Sequence, residues 1–342
     1  MDSSLLLFSA GLSEGDFGCF FLCKLRVRGY FHCRNKFMED PVSTAMKLIV
    51  TILAGALASG AVSAQTDAYI KLFDRHGKHP RIESITYPGD ANLTDMYNSI
   101  YGHGAVVENP WVAFRVYMDN RQSLDLYVKA KPGLELDRTG FYTTPEQLAS
   151  GYGCDVLWAG RSIAAGSFRG WQNGSVVTID TVAARTQRVI DSATVEVEDR
   201  DWIYNGHPVQ MRQRYSVGPD SRDLSVEIEL KGYAPTDVFA AGIQKLETDN
   251  RGFILPTGVG GSWGSNIPDK NHPELVEQVG LGIVVDPENI VRTIEDSLNY
   301  IVLVRPDADG KIRYRVIASG DRETGGFRSA DQWLPYVKTL VY

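Results

Sequence analysis

Apolar and polar residues alternate with a period of two through most of the chain between Gln65 and Tyr342, and few architectures accept that pattern. A helix buries every third or fourth residue, whereas a strand buries every second one. Val112-Ala113-Phe114-Arg115-Val116-Tyr117 and Leu124-Asp125-Leu126-Tyr127-Val128-Lys129 show it, as do Thr194 to Glu198, Val209 to Val217, Leu224 to Leu230 and Ile301 to Val304. Turn chemistry separates these runs at Asp119-Asn120, Asn173-Gly174, Asn205-Gly206, Gly218-Pro219-Asp220 and Asp307-Ala308-Asp309-Gly310. Asn205-Gly206 and Asp309-Gly310, each between strand-like runs, predict hairpins. Helix signals are few. Thr144-Pro145-Glu146-Gln147-Leu148 opens a short helix, and Ser329-Ala330-Asp331-Gln332 is a capping-box pattern whose helix Pro335 should cut short. With no sustained helix–strand alternation and no internal repeat, the expected fold is all-β: a single large antiparallel β-sandwich over residues 65–342, with few short helices. A hydrophobic share of 43% supplies a sizeable core and excludes a disordered chain.

The front of the chain follows other rules. Met46-Lys47 precedes a short apolar run, Leu48 to Val62, that ends in Ala61-Val62-Ser63-Ala64-Gln65. A basic start, an apolar middle and small residues before the cut describe a secretory signal peptide at 46–64, cleaved after Ala64, and the run is too short for a comfortable membrane span. Residues 1–45 have no globular logic of their own, so Met46 is the expected initiator. A zinc or disulfide clip of Cys19, Cys23, His32 and Cys33 is the alternative, although its spacing fits no standard zinc pattern. The remaining 278 residues carry 29 basic and 37 acidic side chains, a net charge of −8. That charge argues against nucleic acid as a partner. They keep one cysteine, Cys154, which cannot form an internal disulfide and by default is a small buried hydrophobe. The expected location is a bacterial periplasm or outer surface.

Three motifs carry little. Gly260-Gly261-Ser262-Trp263-Gly264 matches the nucleophile-elbow pattern, but Ser265 to Lys270 starts no helix and the only later histidine, His272, stands three residues from Asp269. Arg75-His76-Gly77-Lys78-His79 concentrates titratable nitrogen in a loop, read as solvated or as an anion-binding or catalytic element. Asp307-Ala308-Asp309-Gly310 resembles the head of a calcium loop but lacks the closing glutamate, so it reads as a hairpin turn.

Two segments are richer. Tyr101-Gly102-His103-Gly104 runs through Glu108-Asn109-Pro110-Trp111 into the Val112 strand, and Gly151-Tyr152-Gly153-Cys154-Asp155-Val156-Leu157-Trp158-Ala159-Gly160-Arg161 leads on to Trp171. Each joins a carboxylate to aromatics and glycines, and an aromatic wall desolvates a carboxylate and raises its pKa toward that of a general acid or base. The competing reading pairs Glu108 and Asp155 with Arg115 and Arg161 as structural ion pairs; both stand open.

Glu108-Asn109 with Val112 to Tyr117, and Gly151 to Asp155 with Gly160-Arg161-Ser162, resemble the bacterial family called domain of unknown function 4861 over roughly 67–342. The family pattern is richer in glycine around Ala164-Ala165-Gly166, so this chain departs from it where a backbone cradle would lie. The resemblance implies an exported β-sandwich similar to the galactose-mutarotase-like supersandwich, in families that accompany the use of pectin- and alginate-type uronate polymers. The function this implies is a lyase or epimerase acting on uronate-containing oligosaccharides or polysaccharides by proton abstraction next to a carboxylate. Such chemistry needs a base, for which Glu108 and His103 are candidates, an acid, for which Tyr152 and His76 are, and a cation on the carboxylate, Arg115 or Arg161. Trp111, Trp171 and Trp263 are the candidate stacking platforms. A glycoside hydrolase using Glu108 and Asp155 is the second reading, and a carbohydrate-binding protein without turnover the third. No cofactor is expected, and a metal has only the weak case of His76, His79 and His103.

Overall fold

The computed structural model describes residues 65–139, 142–266 and 276–342. The signal-like segment 46–64, the stretch holding Cys19, Cys23, His32 and Cys33, and the pair Asp269 and His272 lie outside the described residues.

The period-two runs fold as long antiparallel strands. Along His207–Val217, the side chains of Val209, Met211, Gln213, Tyr215 and Val217 are buried while Arg212 and Arg214 face water. This strand lies near the middle of a nine-stranded antiparallel sheet that runs from Thr248–Ile254 at one edge to Ser84–Pro88 at the other. Two smaller sheets cover its inner face. A six-stranded sheet packs against the Ala184–Asp191 side, and a five-stranded sheet containing Phe239–Gln244 packs against the Val259–Ser265 side. One apolar core joins the layers, with Phe114 and Leu126 from the six-stranded sheet, Tyr215 and Leu281 from the large one, and Phe239 and Val302 from the third. This is the large antiparallel β-sandwich expected, its second layer divided into two sheets.

The outer face of the large sheet carries cross-strand ion pairs, such as Arg214–Glu196 at 3.0 Å and Arg313–Glu227 at 3.1 Å, so alternation leaves no bare apolar face there. Its other end is covered by the helix Ala330–Lys338, where Trp333 and Val337 pack on Val259, Trp263, Val284 and Ile317. The Trp333 indole lies flat over Gly280, where a Cβ would come within 2.5 Å of the ring, and its Nε1–H donates to Leu281 O at 3.1 Å. Pro335 does not stop this helix, which runs three residues past it. No helix among the described residues is long and apolar enough to cross a membrane.

The Asn205-Gly206 turn joins paired strands with both residues at positive φ, the type I′ geometry its sequence asks for. Asp309-Gly310 is a correction. Its flanking strands, Asn299–Val304 and Lys311–Gly320, belong to different sheets, so the turn carries the chain between layers and closes no hairpin. Asp307 shapes it by accepting the Asp309 and Lys311 N–H groups, each at 2.9 Å. The Thr144 helix spans Pro145–Ala149 with the full capping box. Leu93–Ser99, capped by Asn92, is a helix that the periodicity did not indicate.

Candidate functional site

The six-stranded sheet has two faces. Val112, Phe114, Val116, Leu124, Leu126, Val128 and Cys154 point into the core. Alternation then turns Arg115, Tyr117, Asp125, Tyr127, Lys129 and Asp155 to the other face, and that face carries the chemistry. The register sets the pairing: Arg115 stands directly opposite Asp125, and Asp155 opposite Tyr127, two residues further along. Arg115 Nη2 reaches Asp125 Oδ2 at 2.6 Å and bonds Asp155 Oδ2 as well, so the two carboxyl oxygens lie no farther apart than two hydrogen-bond lengths. The Tyr117 hydroxyl donates to Asp125 at 3.0 Å, and Asp155 Oδ1 accepts the Leu157 N–H at 3.2 Å.

Loops raise walls around this trio and leave a cavity of about 130 Å³. Asp125 and Asp155 form part of its floor, with His103, Tyr117, Arg121 and Tyr142 around them and Leu157 to Gly160 completing the lining. His103 ends a short 3₁₀ turn, Tyr101–His103, and holds φ +64°, a strained value for a residue with a Cβ. Its backbone is fixed on both sides, the N–H donating to Ile100 O at 3.0 Å and the carbonyl accepting from Met118 at 2.9 Å. Its ring meets Tyr117 edge to face at 5.8 Å. Arg121 joins two walls, donating to Asp119 at 2.8 Å and to Gly160 O at 3.2 Å.

Electrostatics single out Asp155. Burial raises its carboxyl, the neighbouring Asp125 carboxylate raises it further, and Arg115 only partly opposes them, so it is pushed up to about 8. A carboxyl of that kind carries its proton at neutral pH.

The expected site residues divide. His103, Asp155 and Arg115 come together here. Glu108 does not line this cavity, although it shares the outer face of the same sheet. It is fully buried and bonded to Lys129 at 2.5 Å, and it accepts the Glu135 N–H at 2.5 Å and the Leu136 N–H at 3.2 Å at the start of the helix Leu136–Thr139. The ion-pair reading therefore holds for Glu108, with Lys129 in place of an arginine. Tyr152 lines a different cleft, with Lys131, Glu135 and Arg138. His76 is exposed on a turn organised by Asp74, while His79 stacks on Tyr101 at 3.7 Å. Arg161 is exposed beside the cavity's Gly160. Arg222 covers Trp111 at 4.8 Å, Trp171 packs partly buried against the five-stranded sheet, and Trp263 is a core residue. Ser262 sits mid-strand with its hydroxyl buried, not on a strand-to-helix elbow. Among the described residues, no three His, Cys, Asp or Glu side chains cluster as metal ligands.

Asp125, Tyr117 and Trp158 escaped the sequence reading. Asp125 was within reach of it: a turn centred on Asn120 sets residues 115 and 125 opposite each other, and alternation puts both on one face.

A family model described as domain of unknown function (DUF4861) matches residues 43–342. No curated protein matches the chain. Among solved structures, a putative aldose 1-epimerase from Klebsiella pneumoniae aligns over 75% of this chain and 91% of its own, at 8% identity and a TM-score of 0.36. A likeness that distant bears on neither substrate nor reaction.

Proposed function

Since this chain belongs to the DUF4861 family, whose description names no activity, we propose from the pocket itself that the protein is a carbohydrate-active enzyme moving protons on an uncharged sugar, an epimerase in reaction type. One arrangement carries the reading: a buried carboxyl, Asp155, whose hold on its proton burial and the adjacent Asp125 strengthen, on the floor of a cavity also faced by an imidazole, His103. Such a pair supplies an acid and a base in one small space. In the forward direction His103 accepts the proton of the anomeric hydroxyl. The ring carbon–oxygen bond breaks as Asp155 gives its proton to the ring oxygen. The freed aldehyde rotates, and the same two groups reverse their roles as the ring recloses on the other face. Asp125 keeps Arg115 in place below and holds Asp155 in its protonated form.

The size of the cavity supports a single ring, since about 130 Å³ is well under the roughly 300–1,000 Å³ of sites for larger ligands. Its charge supports a neutral one. Elimination beside a carboxylate needs a free cation inside the cavity to stabilise the enolate, whereas Arg115 already serves two carboxyl groups, Arg121 is held by Asp119, and Arg161 is exposed outside the lining. Uronates are thus the less suited substrates. The reading includes export through the 46–64 segment; N-terminal sequencing of protein recovered from the periplasm should start at Gln65, and a start at or before Met46 contradicts it.

The test follows freshly dissolved single anomers of neutral sugars and of uronates by optical rotation and proton NMR. Interconversion above the spontaneous rate is expected for a neutral sugar, with Asp155→Asn lowering it about 100-fold or more. New ultraviolet absorbance on a uronate would instead establish elimination, a gain of water would establish hydrolysis, and saturable binding without turnover would establish a lectin-like protein. Each of these overturns the reading.

A further inference from the structure

Of the six tryptophans, Trp158 alone is more than half exposed, at 56%, and it stands at the edge of the candidate cavity. The other five are buried in the core, packed on a sheet or covered by an arginine. A single exposed apolar ring is ordinary on a protein surface, so what marks this one is its place at the edge of the cavity. It is also held in place. Its backbone N–H donates to the Asn266 side chain at 2.9 Å, and the indole lies along the Gly160 turn, where an added Cβ would sit 3.2 Å from Nε1. Arg121 ties that same turn to the opposite wall through Gly160 O. A platform fixed this way loses little freedom when something settles on it, which favours binding.

We propose that Trp158 forms an outer subsite on which a second sugar ring of the substrate rests by its C–H face, beyond the ring held in the cavity; this rests on the sugar reading above. The inner cavity has no room for two rings, so any substrate longer than a monosaccharide leaves across its rim. The indole at that rim offers a flat apolar face, which suits the apolar face of an uncharged ring. The substrate class is thereby the reducing-end unit of a neutral di- or oligosaccharide, with monosaccharides as the poorer substrates.

Three matched pairs test it: glucose with cellobiose, galactose with lactose, and mannose with mannobiose, each with the unaltered protein, Trp158→Ala and Trp158→Phe. The expected result is a disaccharide-to-monosaccharide ratio of kcat/KM that falls about tenfold or more in Trp158→Ala and is largely restored in Trp158→Phe. An equal loss on both members of every pair would make Trp158 part of the inner pocket, and no loss on any would leave it without a role; either result overturns the subsite. Tryptophan fluorescence separates this from failure of the reading above. If no sugar is turned over, a saturable signal with a disaccharide that disappears in Trp158→Ala still supports the platform. Its absence with all three disaccharides overturns it.

Discussion

At Asp155, one side chain is asked to be buried, to sit beside a second carboxylate and to share that neighbour's guanidinium, Arg115. An ordinary aspartate releases its proton near pH 4, and burial together with the Asp125 charge pushes this one up to about 8. Between those values the native state holds a proton that the unfolded chain has released, so stability falls as pH rises through the window. The contribution is complete below about pH 4 and lost once pH passes about 8. Urea unfolding should therefore give a lower free energy at pH 8 than at pH 5, and Asp155→Asn should shrink that difference; an unchanged slope would show that Asp155 titrates ordinarily. His103 and Ala164 show a different residue-level constraint, since both hold positive φ, at +64° and +54°. Ala164 takes up a left-handed bend despite its Cβ, where a glycine would sit without that strain. Asp155 and His103 could be picked out from sequence because an acid and an imidazole among aromatics and glycines are unusual. Trp158 could not be told from Trp111, Trp171 and Trp263, because sequence does not say which indole the core consumes.

At the scale of the element, the outer face of the six-stranded sheet holds two polar groups for two purposes. At one end Glu108 and Lys129 form a closed pair that also caps a helix, and at the other Arg115, Asp125 and Asp155 open into a cavity. Tyr127, Val106, Ala113 and Leu136 form an apolar cluster on this face. Removing one partner of a buried ion pair strands the other charge. Glu108→Gln should thus cost about 3–5 kcal/mol in denaturant unfolding, while turnover per folded molecule stays near that of the parent. A large loss of turnover with stability intact would restore Glu108 as the base. The helix Ala330–Lys338 makes a similar demand on the large sheet. Gly280→Ala drives a methyl into Trp333 and should destabilise by about 1–3 kcal/mol; a neutral result would mean that the helix docks loosely. Strands with one wet face were readable along their whole length because alternation records which side is wet. The cavity was less so, since its walls are loops without a period, and Glu108 and Asp155 carry the same local signature of acid, aromatic and glycine.

At the scale of the molecule, a two-layer core bears the stability while the chemistry sits on a face turned away from it. Substitutions in the cavity can then change the reaction without disturbing the packing of Phe114, Leu126 or Tyr215. The sandwich itself was legible in the strand periodicity. The division of its second layer into two sheets was not, because the choice of sheet for each strand depends on contacts far apart in sequence. That is also why Asp309-Gly310 reads as a hairpin locally and serves as a crossing between layers. The reaction proposed for the site depends on whether Asp155 is a proton donor at neutral pH. The direct measurement is a carbon-13 NMR titration of the aspartate carboxyls, comparing the protein with Asp155→Asn to identify the one signal that is lost. That signal should move with a midpoint close to pH 8; a midpoint close to 4 would make Asp155 an ordinary ion-pair partner of Arg115 and remove the acid from the mechanism.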